Sequence, residues 1–202
     1  MLVDHLIYAA PDLGEAVADI EKRLGVRALA GGRHIDLGTH NALLALGPST
    51  YLEILAPDPG RAVPPAALPF GLDRVSHGGL TGWALSCDDI DRAVAEARRQ
   101  GHDFGEVNDG QRVAPTGTML RWRTAGHGEG LVPFLISWGD TEHPARSAPP
   151  GLILEAVHIE HPNPAPFAGL FTALGADIEV RPAATPALVA HLSGQNGSHV
   201  LR

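Results

Sequence analysis

The chain has 202 residues, of which 44% are hydrophobic and 19% charged, and it can bury a substantial core. Its formal net charge of −8 at pH 7 argues against a nucleic-acid partner, which would contact a basic face. Its apolar stretches are far shorter than the roughly 20 residues that cross a bilayer, so we expect no membrane partner.

The first segment alternates a strand, a helix and three further strands. Residues 2–10 are rich in Val, Ile, Leu and Tyr and predict a strand. Asp12 and Glu15 form a capping box, and Gly25 ends the helix that begins there. Helical spacing is seen for Leu13, Val17, Ile20 and Leu24. Further strands are predicted at 33–37, 41–46 and 50–55, with a bend at 38–40.

The same order of elements then begins again. Residues 57–79 contain five prolines and predict a connecting loop. A strand at 81–86 leads to a helix that Asp88 or Asp89 caps and Gly101 ends. Strand candidates follow at 112–114, 118–124 and 131–138, with a glycine-rich turn at 126–130 between the last two.

A third, shorter segment follows the proline-rich residues 144–150. It opens with a strand at 152–160 and continues with a helix in which Asn163 is the N-cap and Pro164 the first residue. Gly175 ends this helix. Three more strands are predicted at 177–181, 187–192 and 198–201.

This order predicts an α+β protein built from repeated βαβββ modules. The first module spans 1–56, the connection 57–79, the second module 80–140 and the shorter third unit 151–202. One unit leaves a sheet face uncovered. Two units can place their sheets side by side as one curved, largely antiparallel sheet around a cavity, with the helices on the outer face.

His5 and Glu53 are the main candidates for a functional site. Each lies on a predicted strand, and if these strands are neighbours both side chains can point into one cavity. An imidazole and a carboxylate suit a divalent metal ion. The alternative is a buried His–Glu hydrogen bond without metal. A carboxylate on an apolar strand needs a partner, and the candidates for Glu53 are a metal, His5, Arg33 or Arg123.

His34 lies on the second predicted strand and could face the same cavity, where it would complete the site or act as a catalytic base. The alternative is a hydrogen bond to a neighbouring residue. His77, which precedes the second module, is a candidate to supply a missing ligand, with a plain loop role as the alternative.

Three residues are candidates for substrate binding. Arg123 could bind a carboxylate-bearing ligand through two hydrogen bonds, or it could face solvent together with Arg121. Trp83 could form a flat surface for a ligand, or it could pack in the core. Asn41 could contact the ligand, or it could serve the backbone geometry of the turn.

The strand order, together with Val3-Asp4-His5 and Tyr51-Leu52-Glu53, resembles the vicinal oxygen chelate superfamily, which includes glyoxalase I and the extradiol dioxygenases. The residues 32–41, Leu120-Arg121-Trp122-Arg123 and 133–138 are similar to the glyoxalase-like domain family within it. The resemblance covers residues 2–140 well and the third unit loosely.

The resemblance implies a paired βαβββ fold with a divalent metal such as Zn, Fe, Ni or Mn in the cavity. Ligands are expected on the first and last strands of each module. In the first module these positions match His5 and Glu53. In the second they fall near Thr81 or Gly82 and near Phe134 or Leu135, and none of these four side chains can ligate a metal.

Three functions remain open. The first is a metal-dependent lyase, isomerase or dioxygenase. The second is a metal-free protein that sequesters a small molecule, and it is supported by the lack of metal-ligating side chains at the expected ligand positions of the second module. The third is a structural module that forms a homodimer through its third unit. No phosphate-binding loop or nucleophile elbow is present. The single cysteine, Cys87, fits a cytoplasmic protein, and its neighbour Asp88 disfavours a thiolate nucleophile.

Overall fold

A computed structural model describes residues 1–34, 37–61, 63–114, 116–128 and 130–202. The first module contains β1 (Leu2–Ala9), α1 (Leu13–Leu24), β2 (Leu29–His34), β3 (Thr39–Gly47) and β4 (Thr50–Pro57). The second contains β5 (Gly79–Ser86), α2 (Ile90–Arg99), β6 (Asn108–Val113), β7 (Met119–Ala125) and β8 (Phe134–Ser137). The third contains β9 (Leu152–His161), α3 (Ala165–Leu174), β10 (Glu179–Pro182), β11 (Ala187–Gly194) and β12 (Gly197–Leu201). Short 3-10 turns lie at Pro65–Ala67 and Pro144–Arg146.

The first two helices begin where their capping residues predict. Asp12 Oδ1 accepts a hydrogen bond of 2.8 Å from the Glu15 amide, and Asp89, not Asp88, accepts one of 3.0 Å from the Arg92 amide. Gly25 ends α1 in the left-handed conformation, with φ of 79°.

The start of α3 differs from the prediction. Pro164, not Asn163, is the N-cap, and it has no side chain that can accept a hydrogen bond from the helix. The Asn163 amide instead donates to Nδ1 of His161, which holds it in the turn before the helix. Gly175 ends the helix as predicted, with φ of 60°.

Several strand boundaries also differ from the prediction. β2 begins at Leu29 and includes the two glycines, and β6 begins at Asn108. β8 begins only at Phe134. Parts of the predicted strand 33–37 and of the predicted turn 126–130 lie outside the described residues, at positions 35, 36 and 129.

The first two modules form one curved, nearly closed sheet of eight strands in the order β2-β3-β4-β1-β5-β8-β7-β6. The modules meet where β1 pairs antiparallel with β5. At the two ends of the sheet, Arg112 on β6 donates a hydrogen bond to the carbonyl of Gly31 on β2. Side chains alternate between the inner face and the face that the helices cover, so Ile7 lies inside and Leu6 in the main core.

The third unit forms its own four-stranded sheet, in the order β10-β9-β11-β12. It packs against the large sheet within the same chain. The rings of Phe171 and Trp83 lie 5.6 Å apart, and the Leu80 amide donates a hydrogen bond of 2.8 Å to the carbonyl of Arg202. Among the described residues, no helix combines the length and apolar character that crossing a membrane requires.

Candidate functional site

The inner face of the eight-stranded sheet surrounds a cavity of about 160 Å³. Polar side chains occupy part of its wall, namely those of His5, His34, Thr39, Asn41, Tyr51, Glu53, Arg112, Thr124 and His127. Much of the remaining wall is apolar and includes Ile7, Leu55, Phe70, Trp122, Phe134 and Ile136. The cavity therefore combines a cluster of ionisable groups with a surface that favours an apolar ligand.

Glu53 lies at the centre of the polar wall and is only 8% exposed. Its Oε1 accepts a hydrogen bond of 2.6 Å from Nδ2 of Asn41. Nε2 of His5 lies 3.7 Å from Oε2, and Nε2 of His34 lies 3.9 Å from Oε1. Both distances exceed hydrogen-bonding range, so the two imidazoles flank the carboxylate without bonding it directly.

The far side of the His5 ring is fixed by hydrogen bonding and stacking. Its Nδ1 lies 2.7 Å from Oδ1 of Asp4, and its ring stacks on Tyr51 with centroids 4.6 Å apart. The ring of Phe134 meets His5 edge-on at 5.3 Å. These contacts direct Nε2 of His5 towards Glu53 and the cavity.

Asp4 is fully buried and interacts with three partners. Besides His5, it faces Nε1 of Trp138 at 3.1 Å and Nε2 of His143 at 3.2 Å. Burial raises the pKa of the Asp4 carboxyl, but the hydrogen bonds from His143 and His5 outweigh it and hold the pKa at about 2. Asp4 is therefore ionised throughout the neutral range.

His34 ends β2 and is held by Thr39, whose Oγ1 lies 3.0 Å from Nδ1. Burial lowers the pKa of His34 below its usual 6.5; Glu53 opposes this shift, and the charges of Arg112 and His5 add to it. The ring is neutral at pH 7. Burial also raises the pKa of Tyr51 well above its usual value, so its hydroxyl stays protonated.

The sequence model of the glyoxalase-like domain family matches residues 3–175. The chain belongs to this family. The curved α+β fold, with its nearly closed sheet, agrees with that membership.

Solved structures with this glyoxalase-like architecture include a hypothetical protein from Staphylococcus aureus, with a TM-score of 0.68 and 14% identity over 92% of this chain and 87% of that one. A methylmalonyl-CoA epimerase from Mycobacterium tuberculosis has a TM-score of 0.45 and 22% identity over 67% of this chain and 86% of that one. A methylmalonyl-CoA epimerase from Streptomyces coelicolor has a TM-score of 0.47 and 18% identity over 69% of this chain and 96% of that one.

The glyoxalase-like fold brings together four of the residues predicted from sequence: His5, His34, Asn41 and Glu53. His34 lines the cavity, and its Nδ1 also contacts Oγ1 of the neighbouring Thr39. The carboxylate of Glu53 accepts its hydrogen bond from Asn41, which was not among the expected partners. Arg33 pairs instead with Asp58, at 2.9 Å.

Arg123 and Trp83, the other two candidates for substrate binding, do not line this cavity. Arg123 lies on the outer face of β7 and pairs with Asp91 of α2 at 2.6 Å. Trp83 has no exposed surface and packs in the core beneath the third unit. The residue beside Arg123, Trp122, lines the cavity, as strand alternation requires.

Two charged residues at this site, Arg112 and Asp4, were not among the candidates predicted from the sequence. Arg112 lines the cavity from β6, opposite Leu120 in the register with β7. Asp4 neighbours His5, but strand alternation would have placed it on the opposite face. A thiolate is disfavoured at Cys87, as the adjacent Asp88 predicted, because burial and the charge of Asp88 raise the pKa of its thiol to about 11.

His5, His34 and Glu53 have donor types that suit a divalent metal, but their spacing does not form a ready site. In a tetrahedral site with bonds of about 2.0–2.1 Å, ligand atoms lie about 3.3–3.4 Å apart. The distances here are 3.7 and 3.9 Å. Within the described part of the chain, no group of three or more His, Cys, Asp or Glu residues is arranged to hold a metal ion.

Proposed function

We propose that this chain is an enzyme that binds a small organic molecule in the cavity of its eight-stranded sheet and moves a proton on it, as a lyase or isomerase does. The observation that carries the proposal is the pairing of His34 and Glu53, with Nε2 and Oε1 3.9 Å apart, beside a largely apolar surface. An ionisable group in a cleft whose pKa is shifted, as that of His34 is, is a candidate for acid–base catalysis.

His34 is the proposed base. Burial keeps its imidazole neutral at pH 7, so Nε2 can accept a proton from a carbon next to a substrate carbonyl. The Glu53 carboxylate would then stabilise the imidazolium that forms. Asn41 holds that carboxylate through its hydrogen bond of 2.6 Å, and Thr39 limits rotation of the ring.

The test is exchange of carbon-bound hydrogen with solvent. A panel of small ketones and 2-oxo acids would be incubated in D2O with the protein, and loss of the proton signal followed by NMR. We expect His34→Gln and Glu53→Gln to slow exchange by on the order of 100-fold or more. His40→Gln is the matched control, because His40 lies beside Asn41 on β3 but outside the cavity lining. Exchange at the wild-type rate in both cavity variants would contradict the proposal.

The second candidate is a metal-free protein that sequesters its ligand, and the apolar cavity wall favours it. The same panel separates the two functions. A compound that binds in the cavity but exchanges no hydrogen, in wild type and variants alike, would support sequestration over catalysis.

Metal dependence is a separate proposal, in which His5 and Glu53 hold a divalent cation such as zinc, iron, nickel or manganese. The contact between Asp4 and Nδ1 of His5 supports it, because metal-binding histidines usually have such an outer partner. A bound cation would stabilise negative charge on a substrate oxygen. Elemental analysis of untagged protein should show metal that is lost in His5→Ala/Glu53→Ala and kept in His40→Ala. Absence of metal in wild type after addition of each of the four ions would overturn this proposal.

The homodimer stays a prediction. The third unit packs against its own chain, and the outer strands of its sheet, β10 and β12, are the edges through which a second copy could pair. Molar mass from light scattering would show whether the protein forms a dimer.

A further inference from the structure

Arg112 on β6 has surroundings that differ from those of the other arginines. It is the one arginine that is buried in the described part of the chain, with an exposed fraction of 7%, and it lines the cavity. One of its terminal nitrogens donates a hydrogen bond to the carbonyl of Gly31. A guanidinium has five N–H donors and stays protonated in proteins, so this contact leaves most of its hydrogen-bonding capacity unused.

The charge of Arg112 has no carboxylate partner among the described residues. Several exposed arginines of this chain do have one: for example, Arg98 pairs with Asp103 at 2.9 Å and Arg202 with Glu160 at 2.7 Å. The usual pattern is the reverse, since burying a charge without a counter-charge is costly and exposed charges need no partner. The positive charge of Arg112 acts within the cavity, where it lowers the pKa of His34.

The position of Arg112 fits the recognition of an anion from the cavity. The planar fork of a guanidinium matches a carboxylate through two parallel hydrogen bonds. The apolar rings of Phe70, Trp122 and Phe134 also line the cavity. The cavity volume of about 160 Å³ is close to the roughly 150 Å³ of an apolar cavity that holds benzene.

We propose that Arg112 forms an anion subsite and that the ligand of this cavity is a small organic carboxylate with an apolar body. This inference rests on the proposed function, because it assumes that the cavity binds a small organic molecule. The carboxylate would neutralise Arg112, and the apolar body would lie against the rings beside Glu53 and His34. The competing role for Arg112 is purely structural, as a link between β6 and β2 through Gly31.

The test compares carboxylates with neutral compounds of the same shape. Benzoate and phenylpyruvate would be titrated into the protein by calorimetry alongside benzamide and phenylacetone. We expect at least one carboxylate to bind wild type ten-fold or more tightly than its neutral counterpart, with an affinity that falls as salt is added. Equal binding of both members of each pair would overturn the inference while leaving a small-molecule cavity in place. Failure of all four to bind would count against both proposals.

Variants assign the preference to Arg112. Arg112→Met should remove the preference for the carboxylate, and Arg112→Lys should keep part of it, because the charge remains and the fork is lost. Arg121→Met is the matched control, since Arg121 is an exposed residue on the adjacent strand. If Arg112→Met unfolds, the wild-type comparison and Arg112→Lys still decide the question. A carboxylate preference that survives in a folded Arg112→Met protein would leave Arg112 with the structural role only.

Discussion

Asp4 and His5 are adjacent in the chain, yet their side chains meet, with 2.7 Å between Oδ1 and Nδ1. Successive residues of a regular strand point to opposite faces of the sheet. The pairing of β1 with β5 shifts register between Val3 and His5, and such an irregularity changes the direction of a side chain. This local break places a buried carboxylate behind the imidazole that faces Glu53.

Asp4→Asn should alter the pH dependence of stability. The carboxyl has a pKa of about 2 in the folded protein, against 3.8 for an unperturbed group. Its contribution is therefore complete above about pH 4 and is lost as the pH falls towards 2. The difference corresponds to about 2 kcal/mol. Urea unfolding at pH 6 and pH 2.5 should show a smaller loss of stability for Asp4→Asn than for wild type.

Asp109→Asn is the control for that experiment, because the side chain of Asp109 is 91% exposed. It should lose stability between the two pH values as wild type does. An Asp4→Asn protein with the same pH dependence as wild type would show that Asp4 titrates normally and that its contacts with His5 and His143 are weak.

The pKa of His34 should respond in opposite directions to two substitutions. Burial lowers it, Glu53 opposes the lowering and Arg112 adds to it. Glu53→Gln should therefore lower the pKa further, whereas Arg112→Met should raise it. NMR titration of the imidazole resonances measures both, and the spectrum of His34→Gln assigns the signal. A His34 that titrates at or above 6.5 in wild type would contradict the burial on which its proposed role as a base depends.

The same shift has a consequence for stability. Because the unfolded chain protonates His34 at a higher pH than the folded chain does, stability should fall as the pH drops below about 6.5. His34→Gln should remove this part of the pH dependence. The free energy of unfolding of wild type and His34→Gln would be measured in urea at pH 7.5 and pH 5.5. If it changes equally with pH in the two proteins, His34 is solvated rather than buried.

Asn41 and Glu53 should be energetically coupled. Asn41→Ala removes the amide that donates to the buried carboxylate, and a hydrogen bond to a charged group contributes about 1.5–3 kcal/mol. The same substitution should cost much less in a Glu53→Leu background, because no carboxylate is left without its donor. A double-mutant cycle of unfolding free energies measures the coupling, and additive effects would contradict it.

Two glycines form a matched pair for a test of packing at the site. A β-carbon on Gly31 would collide with Oδ1 of Asn41 and crowd the side chain of Leu43, so Gly31→Ala should lower the melting temperature. Gly169 lies within α3 with open space around it, and Gly169→Ala should stabilise the helix by up to about 1 kcal/mol. Equal effects in thermal unfolding would show that β2 moves freely at Gly31.

Local chemistry made much of the fold predictable. Asp12, Glu15 and Gly25 mark the ends of α1 because caps act within a few residues of the chain. The prediction that Asn163 caps α3 was wrong because its backbone amide donates a hydrogen bond to His161, a contact that helix-capping preferences do not include. The strand order of the third unit depends on long-range pairing, and β9 pairs with both β10 and β11 there.

The candidate site was predictable where one strand carries an unusual polar residue. His5 and Glu53 stand out on apolar strands, and the structure places both at the cavity. Arg123 and Arg112 show where prediction from the sequence fails, because both are arginines on short strands of the second module. Which of them faces inward depends on strand register, and register follows from packing across the sheet rather than from either strand alone.

The two modules of the large sheet mirror one another in strand order but not in chemistry. His5, His34, Asn41 and Glu53 all come from the first module, while the second contributes the rings of Trp122 and Phe134 and the charge of Arg112. In the roles proposed above, the reacting groups and the group that selects the ligand therefore come from separate stretches of the chain. Changes in the second module could retune which molecule is accepted while the reacting groups stay in place, so related chains could diversify in ligand without rebuilding their chemistry.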